Sequence, residues 1–182
     1  MCEFLSDPWC MVSVSRNTPP RTAERDPAMC WICDHPDRTI ADYLDEVRGK
    51  ILRRGWTVQY VESPQLPFAY TIGLSDYDVP ELMITNVSPQ RALRVLNGAA
   101  EHILRGMELT AGQQFTLCGC PMLEVVNVDH PDAHMGFAVA LYGPIRALQL
   151  VWADGRGRWP WAADFCDRES RQPVLGVRAR AA

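Results

Sequence analysis

Residues 68–87, FAYTIGLSDYDVPELMITNV, decide the fold. Stretches 68–74 and 81–87 are short runs rich in β-branched and aromatic residues, and SDYDVP between them holds the Ser, Asp and Pro that turns favour. Two strands so joined predict a hairpin. Downstream, Ser88 followed by Pro89 starts a helix, because the first helical N–H has no intrahelical partner and proline loses nothing there. Leu93, Leu96, Ala100, Ile103 and Leu104 give that helix an apolar stripe up to Gly106. Upstream, Thr39 with Asp42 three residues later caps a helix over 40–54, in which Ile40, Tyr43, Leu44, Val47 and Ile51 recur at helical spacing. Gly55 ends it and 56–61 is extended. Beyond the second helix the chain reads as strands over 113–117, 122–128 and 145–152, while 136–142 fits a strand or a short helix equally well. Two helices with six or seven clustered strands predict an α+β domain, a mainly antiparallel sheet with both helices on one face.

The 182 residues are 47% apolar and 22% charged, with 22 Asp and Glu against 18 Lys and Arg. A domain of this size buries roughly 70% of its unfolded surface and needs no disulfides. The mildly acidic balance, without any basic run, argues against general nucleic-acid binding and against anionic membrane surfaces. No apolar run approaches the roughly 18 residues of a spanning helix. Glu3 and Asp7 stand where a secretory leader would be basic, and the seven cysteines are an odd count, so a reducing cytoplasm is expected. Residues 1–28, rich in Ser, Thr, Pro and charge after position 12, are expected to form a disordered tail, with Met29 as a plausible second start. A single domain over 29–176 and a short tail over 177–182 complete the expected organisation.

Four segments can carry chemistry. In Cys30-Trp-Ile-Cys33-Asp-His35, thiolates two residues apart can share one zinc ion with an imidazole, although redox chemistry and simple apolar packing beside Trp31 stay open. Asp129-His130-Pro-Asp132-Ala-His134 sets two imidazoles and two carboxylates within six residues; it suits metal ligation with carboxylates supporting the ligands, acid–base work by a His whose pKa Asp129 or Asp132 would raise, or a solvated polar loop. In 149–161, QLVWADGRGRWPW, three tryptophans line either a core or a pocket, with Gln149 and Asp154 as its polar groups. In the hairpin, Gly73 signals a bulge or a close backbone approach, and Glu81 beside it is either a catalytic base or an edge charge. Cys118 and Cys120 are a weaker metal-ligand pair.

Taken in order, FAYTIGL, PELMITNV, a helix and QLVWADGRGRWPW resemble the bacterial family called domain of unknown function 4262, and MCWICDHPD with VDHPDAH resembles its actinobacterial members. The resemblance spans about residues 30–175 and implies that Thr71, Gly73, Glu81, Gln149, Trp152, Asp154 and Trp161 occupy motif positions. It carries no activity or cofactor with it. A fainter likeness of YTIGL and PEL to suppressor-of-fused-type domains of bacterial immunity proteins hints at protein binding. The expected function is a binding or regulatory module for a small molecule or protein, its ligand held by those seven residues, with zinc as the one cofactor the sequence suggests. The alternative is a zinc-dependent hydrolase with Cys30, Cys33, His35, His130 and His134 as metal ligands and Glu81, Asp129 or Asp132 acting on bound water.

Overall fold

The computed structural model describes residues 37–63, 65–165 and 172–179. Helix α1, Ile40–Arg54, opens on a full capping box: the Thr39 hydroxyl accepts from the Asp42 amide and the Asp42 carboxylate accepts from the Thr39 amide. It turns Tyr43, Val47 and Ile51 inward and stops at Gly55, whose φ of 87° suits glycine. Helix α2, Pro89–Leu104, is capped by Ser88 and buries Ala92, Val95, Leu96, Ala99, Ala100 and Ile103. Residues Gly136–Tyr142 form a short helix, α3, which decides the ambiguity there against a strand.

Strands β1 (Thr57–Val61), β2 (Phe68–Ile72), β3 (Glu81–Thr85), β4 (Gln114–Thr116), β5 (Met122–Asn127) and β6 (Ala147–Trp152) make one sheet in the order β1-β2-β3-β6-β5-β4. The predicted hairpin is β2–β3, paired antiparallel from Phe68↔Thr85 to Tyr70↔Met83. The sheet corrects the sequence expectation in one pairing. Four of its five pairings are antiparallel, but β3 and β6 run parallel, so the sheet is mixed.

The helices also differ from expectation, because they cover both faces. Ala69, Leu82, Ile84, Leu123, Val125, Leu148, Leu150 and Trp152 form a core with α2, whereas Tyr70, Ile72, Met83 and Ala147 form a second with α1 and α3. The cause is visible in the strands themselves: ELMIT and ALQLVW are buried at every position, and a strand buried on both faces needs a layer on each side. The strip of the second face beyond α1 and α3 is crossed by residues 172–179, a C-terminal strap. There Gln149 and Glu124 hold Leu175 and Arg178.

Candidate functional site

The first polar centre is built where β2 ends. After Ile72, Gly73 adopts φ 124°, and a Cβ there would sit 2.7 Å from the Gly55 carbonyl oxygen and 2.9 Å from the Trp56 Cα. Only glycine fits such an approach. The bend starts a 3-10 turn, Leu74–Tyr77, and aims two main-chain amides at the Glu81 carboxylate. Glu81 Oε1 accepts from the Gly73 amide at 3.0 Å, the Ser75 amide at 3.0 Å and the Ser75 hydroxyl at 2.9 Å, while Oε2 accepts from the Thr71 hydroxyl at 2.6 Å. Thr71 Oγ1 accepts in turn from the Leu82 amide at 2.8 Å, standing in for the ladder that has just ended. The sequence thus named three members of one cluster, Thr71, Gly73 and Glu81. Tyr142 donates to Asp76 beside them at 2.8 Å, and burial together with the Asp76 and Glu81 charges holds its hydroxyl above the ordinary tyrosine range.

Glu81 is fully buried, and burial raises its carboxyl pKa against the opposing pull of the Thr71, Ser75 and Gly73 donors. The folded protein therefore keeps this proton at a pH where the unfolded chain has lost it. Stability from this group is complete below the ordinary glutamate pKa and declines as pH rises through the elevated one. Glu81→Gln, uncharged and of the same shape, removes that slope. Denaturant midpoints of the two proteins, measured from acid to neutral pH, should converge or cross in favour of the variant as pH rises; a constant gap would mean that Glu81 titrates normally.

The remaining motif residues take no part in this cluster, and two of them, Gln149 and Trp152, meet at Thr85. Gln149, on β6, donates to Thr85 Oγ1 at 3.0 Å and to the Pro173 carbonyl at 2.6 Å, and accepts from the Leu175 amide at 2.7 Å. Trp152 is 4% exposed, donates its indole N–H to the Thr85 carbonyl at 3.1 Å, and lies under the Arg91 guanidinium at 4.6 Å. Asp154 organises its own loop: its carboxylate accepts from the Arg156 and Arg158 amides, each at 2.8 Å, and pairs with the Arg158 guanidinium at 2.7 Å. Trp161 stacks on Trp159 at 5.3 Å and has Arg178 at 4.2 Å from its ring centre.

Around the Asp/His segment, His130 holds φ 53° before a 3-10 turn, Pro131–Ala133, and His134 meets the Phe68 ring edge-on at 6.3 Å. Asp129, His130 and Asp132 are exposed. Cys30, Cys33 and His35 lie outside the described residues, among which no group of three or more His, Cys, Asp or Glu side chains is placed to hold a metal. Cys118 is exposed and Cys120 lies half-buried against the α2 core.

An open groove of about 500 Å³ runs past the starting ends of β3 and β6, lined by Pro80, Leu109, Val128, Ile145 and Arg146 among others. None of the seven motif residues lines it. Arg146 is held at its rim by the Asp78 carboxylate at 2.9 Å. Sequence reasoning also missed Glu124, which is 1% exposed and receives Arg178 Nε at 2.5 Å and Gln114 Nε2 at 2.7 Å. Its signal was present: a lone carboxylate within the strand MLEVVN requires a buried partner.

These features define an α+β domain with a mixed six-stranded sheet, helices on both faces and polar side chains spent on turns and on a C-terminal strap. The chain belongs to the family described as Domain of unknown function (DUF4262), whose sequence model matches residues 50–166. No curated protein and no solved structure matches it. Among the described residues, no helix is long and apolar enough to cross a membrane.

Proposed function

We propose that the protein is a binding module, taking a protein segment or small ligand in the groove beside β3 and β6. The observation that carries this reading is the groove's make-up: apolar walls from Pro80, Leu109, Val128 and Ile145, with one cation, Arg146, fixed at the rim by Asp78. Binding sites combine such walls with a few polar groups that orient the ligand. Glu81 favours the same reading over catalysis, since a buried carboxylate already engaged by four donors has no direct path to a substrate. Thr71, Gly73 and Glu81 then serve binding indirectly by setting the turn that carries Asp78 and Pro80. Trp161, 38% exposed, is the motif residue best placed to touch a partner. In a pull-down from source cells, wild-type protein should retain a stoichiometric partner that Arg146→Glu, at an exposed side chain, loses without a change in melting temperature, and that Ile145→Asp loses with a lowered one, because Ile145 packs against the α1–α3 core. Equal recovery by all three proteins would sink the groove.

The rival zinc reading rests on the Cys30-x-x-Cys33-x-His35 spacing, with His130 and His134 as further ligands and Asp129 or Asp132 acting on a bound water in the hydrolase version. It predicts that protein purified without a polyhistidine tag holds about one equivalent of zinc and melts lower after chelation. Cys33→Ser should abolish both effects. Metal-free, fully folded protein with chelator-insensitive melting would reduce Cys30 and Cys33 to packing residues.

A further inference from the structure

The strap is held by polar contacts that read its main chain. One side-chain amide, Gln149, spans two residues of it, donating to the Pro173 carbonyl and accepting from the Leu175 amide. Thr85 Oγ1 donates to the same Pro173 carbonyl at 2.9 Å, and the Asp129 amide donates to the Leu175 carbonyl at 2.9 Å. Side-chain identity enters at three positions. Leu175 joins the α1–α3 core, Arg178 reaches Glu124 and the Trp161 ring, and Gly176 passes so near β5 that a Cβ would lie 1.7 Å from the Asn127 carbonyl oxygen.

On the sheet side, Thr85, Gln149 and Glu124 are buried polar groups, which are costly to keep unless something pairs with them. A sheet face that needed only to be covered would be apolar. The strap's outer side is open to solvent: residues 173–176 are half-buried and 177–179 exposed. At its first anchor, Gln172 accepts from the Trp152 amide while its buried Nε2 donor has no hydrogen-bond partner among the described residues. The receptor residues fall within the family match at 50–166, and the strap falls outside it.

We propose that the β3–β6–β5 face is a receptor for an extended peptide of the pattern Pro-Val-Leu-Gly-Val-Arg, filled in cis by the chain's own strap and exchangeable with the strap of a second copy. The second copy is the occupant because its C-terminal segment carries every feature the face reads. This inference does not depend on the groove. Extended segments docked through main-chain bonds, with pockets for selected side chains, are an established mode of protein recognition.

The test uses the full chain. Gly176→Val blocks its own strap at Asn127 and leaves the receptor intact. A labelled peptide of residues 171–182 should bind this variant about tenfold or more tightly than wild type, whose occupied receptor lowers apparent affinity by its vacant fraction. Adding Gln149→Ala should abolish binding, and wild type at high concentration should form dimers that Gly176→Val does not. A folded Gly176→Val chain that ignores the peptide, or binds it equally well with Gln149→Ala added, overturns the proposal. If Gly176→Val does not fold, hydrogen exchange on wild type decides. The Leu175 and Asp129 amides should exchange far faster than those of Met83 and Leu150; exchange of all four only by global unfolding would make the strap a permanent part of the core.

Discussion

Replacing Glu81 by alanine should destabilise the protein by about 4 kcal/mol at neutral pH, the largest effect expected from any single polar residue here. The estimate follows from what the deletion abandons: the amides of Gly73 and Ser75 and the hydroxyl of Thr71 lose their acceptor inside the protein. Each orphaned buried donor costs about 1–3 kcal/mol, with some relief if water enters the space. Domains of this kind have roughly 5–15 kcal/mol of stability, so the variant should melt far below wild type. Glu81→Gln keeps an acceptor for the amides and should cost under about 2 kcal/mol, within the range of ordinary single substitutions. Equilibrium urea unfolding of both variants measures the contrast. If the alanine variant is nearly as stable as wild type, the carboxylate does not hold the turn, and a catalytic role for Glu81 becomes the stronger reading.

What could be read from the sequence was whatever is local. The Thr39–Asp42 box, Pro89 after Ser88 and the turn between β2 and β3 each depend on contacts within a few residues, and each formed where expected. Gly73 signalled either a bulge or a close approach, and the structure has the close approach, to the Gly55 carbonyl. The unexpected features are all long-range. The β3–β6 pairing joins Glu81 to Ala147, and no local pattern states whether two such strands run parallel. The second helical layer was hinted at by the unbroken apolar strands, but a short apolar run does not say which helix covers it. Arg178 sits in a stretch that looks like a tail by composition, and only the fold reveals that it answers the buried Glu124 54 residues away. Gln149 was recognised as a significant position, yet its partners Pro173 and Leu175 could not be named from spacing.

Trp152 and Trp161 belong to one motif but should respond to alanine in opposite ways. Trp152→Ala empties a site that is 4% exposed, breaks the indole bond to the Thr85 carbonyl and removes the ring from contact with Arg91 and Phe165. Deleting a buried tryptophan of this kind costs about 3–5 kcal/mol through lost burial and the cavity left behind. Trp161 is 38% exposed, and alanine there gives up a stack on Trp159 and the Arg178 cation above the ring. An exposed cation–π contact is worth about 0.5–1 kcal/mol, so the Trp161→Ala melting temperature should stay close to wild type. The pair therefore separates scaffold from surface. Any binding lost in Trp152→Ala follows from unfolding and should return when the variant is measured well below its lowered midpoint. Binding lost in Trp161→Ala, with folding intact, would extend the ligand-contact surface to the tryptophan stack. Should Trp152→Ala prove as stable as wild type while losing a partner, the indole would be a ligand contact after all, and the core assigned to it would have to be redrawn.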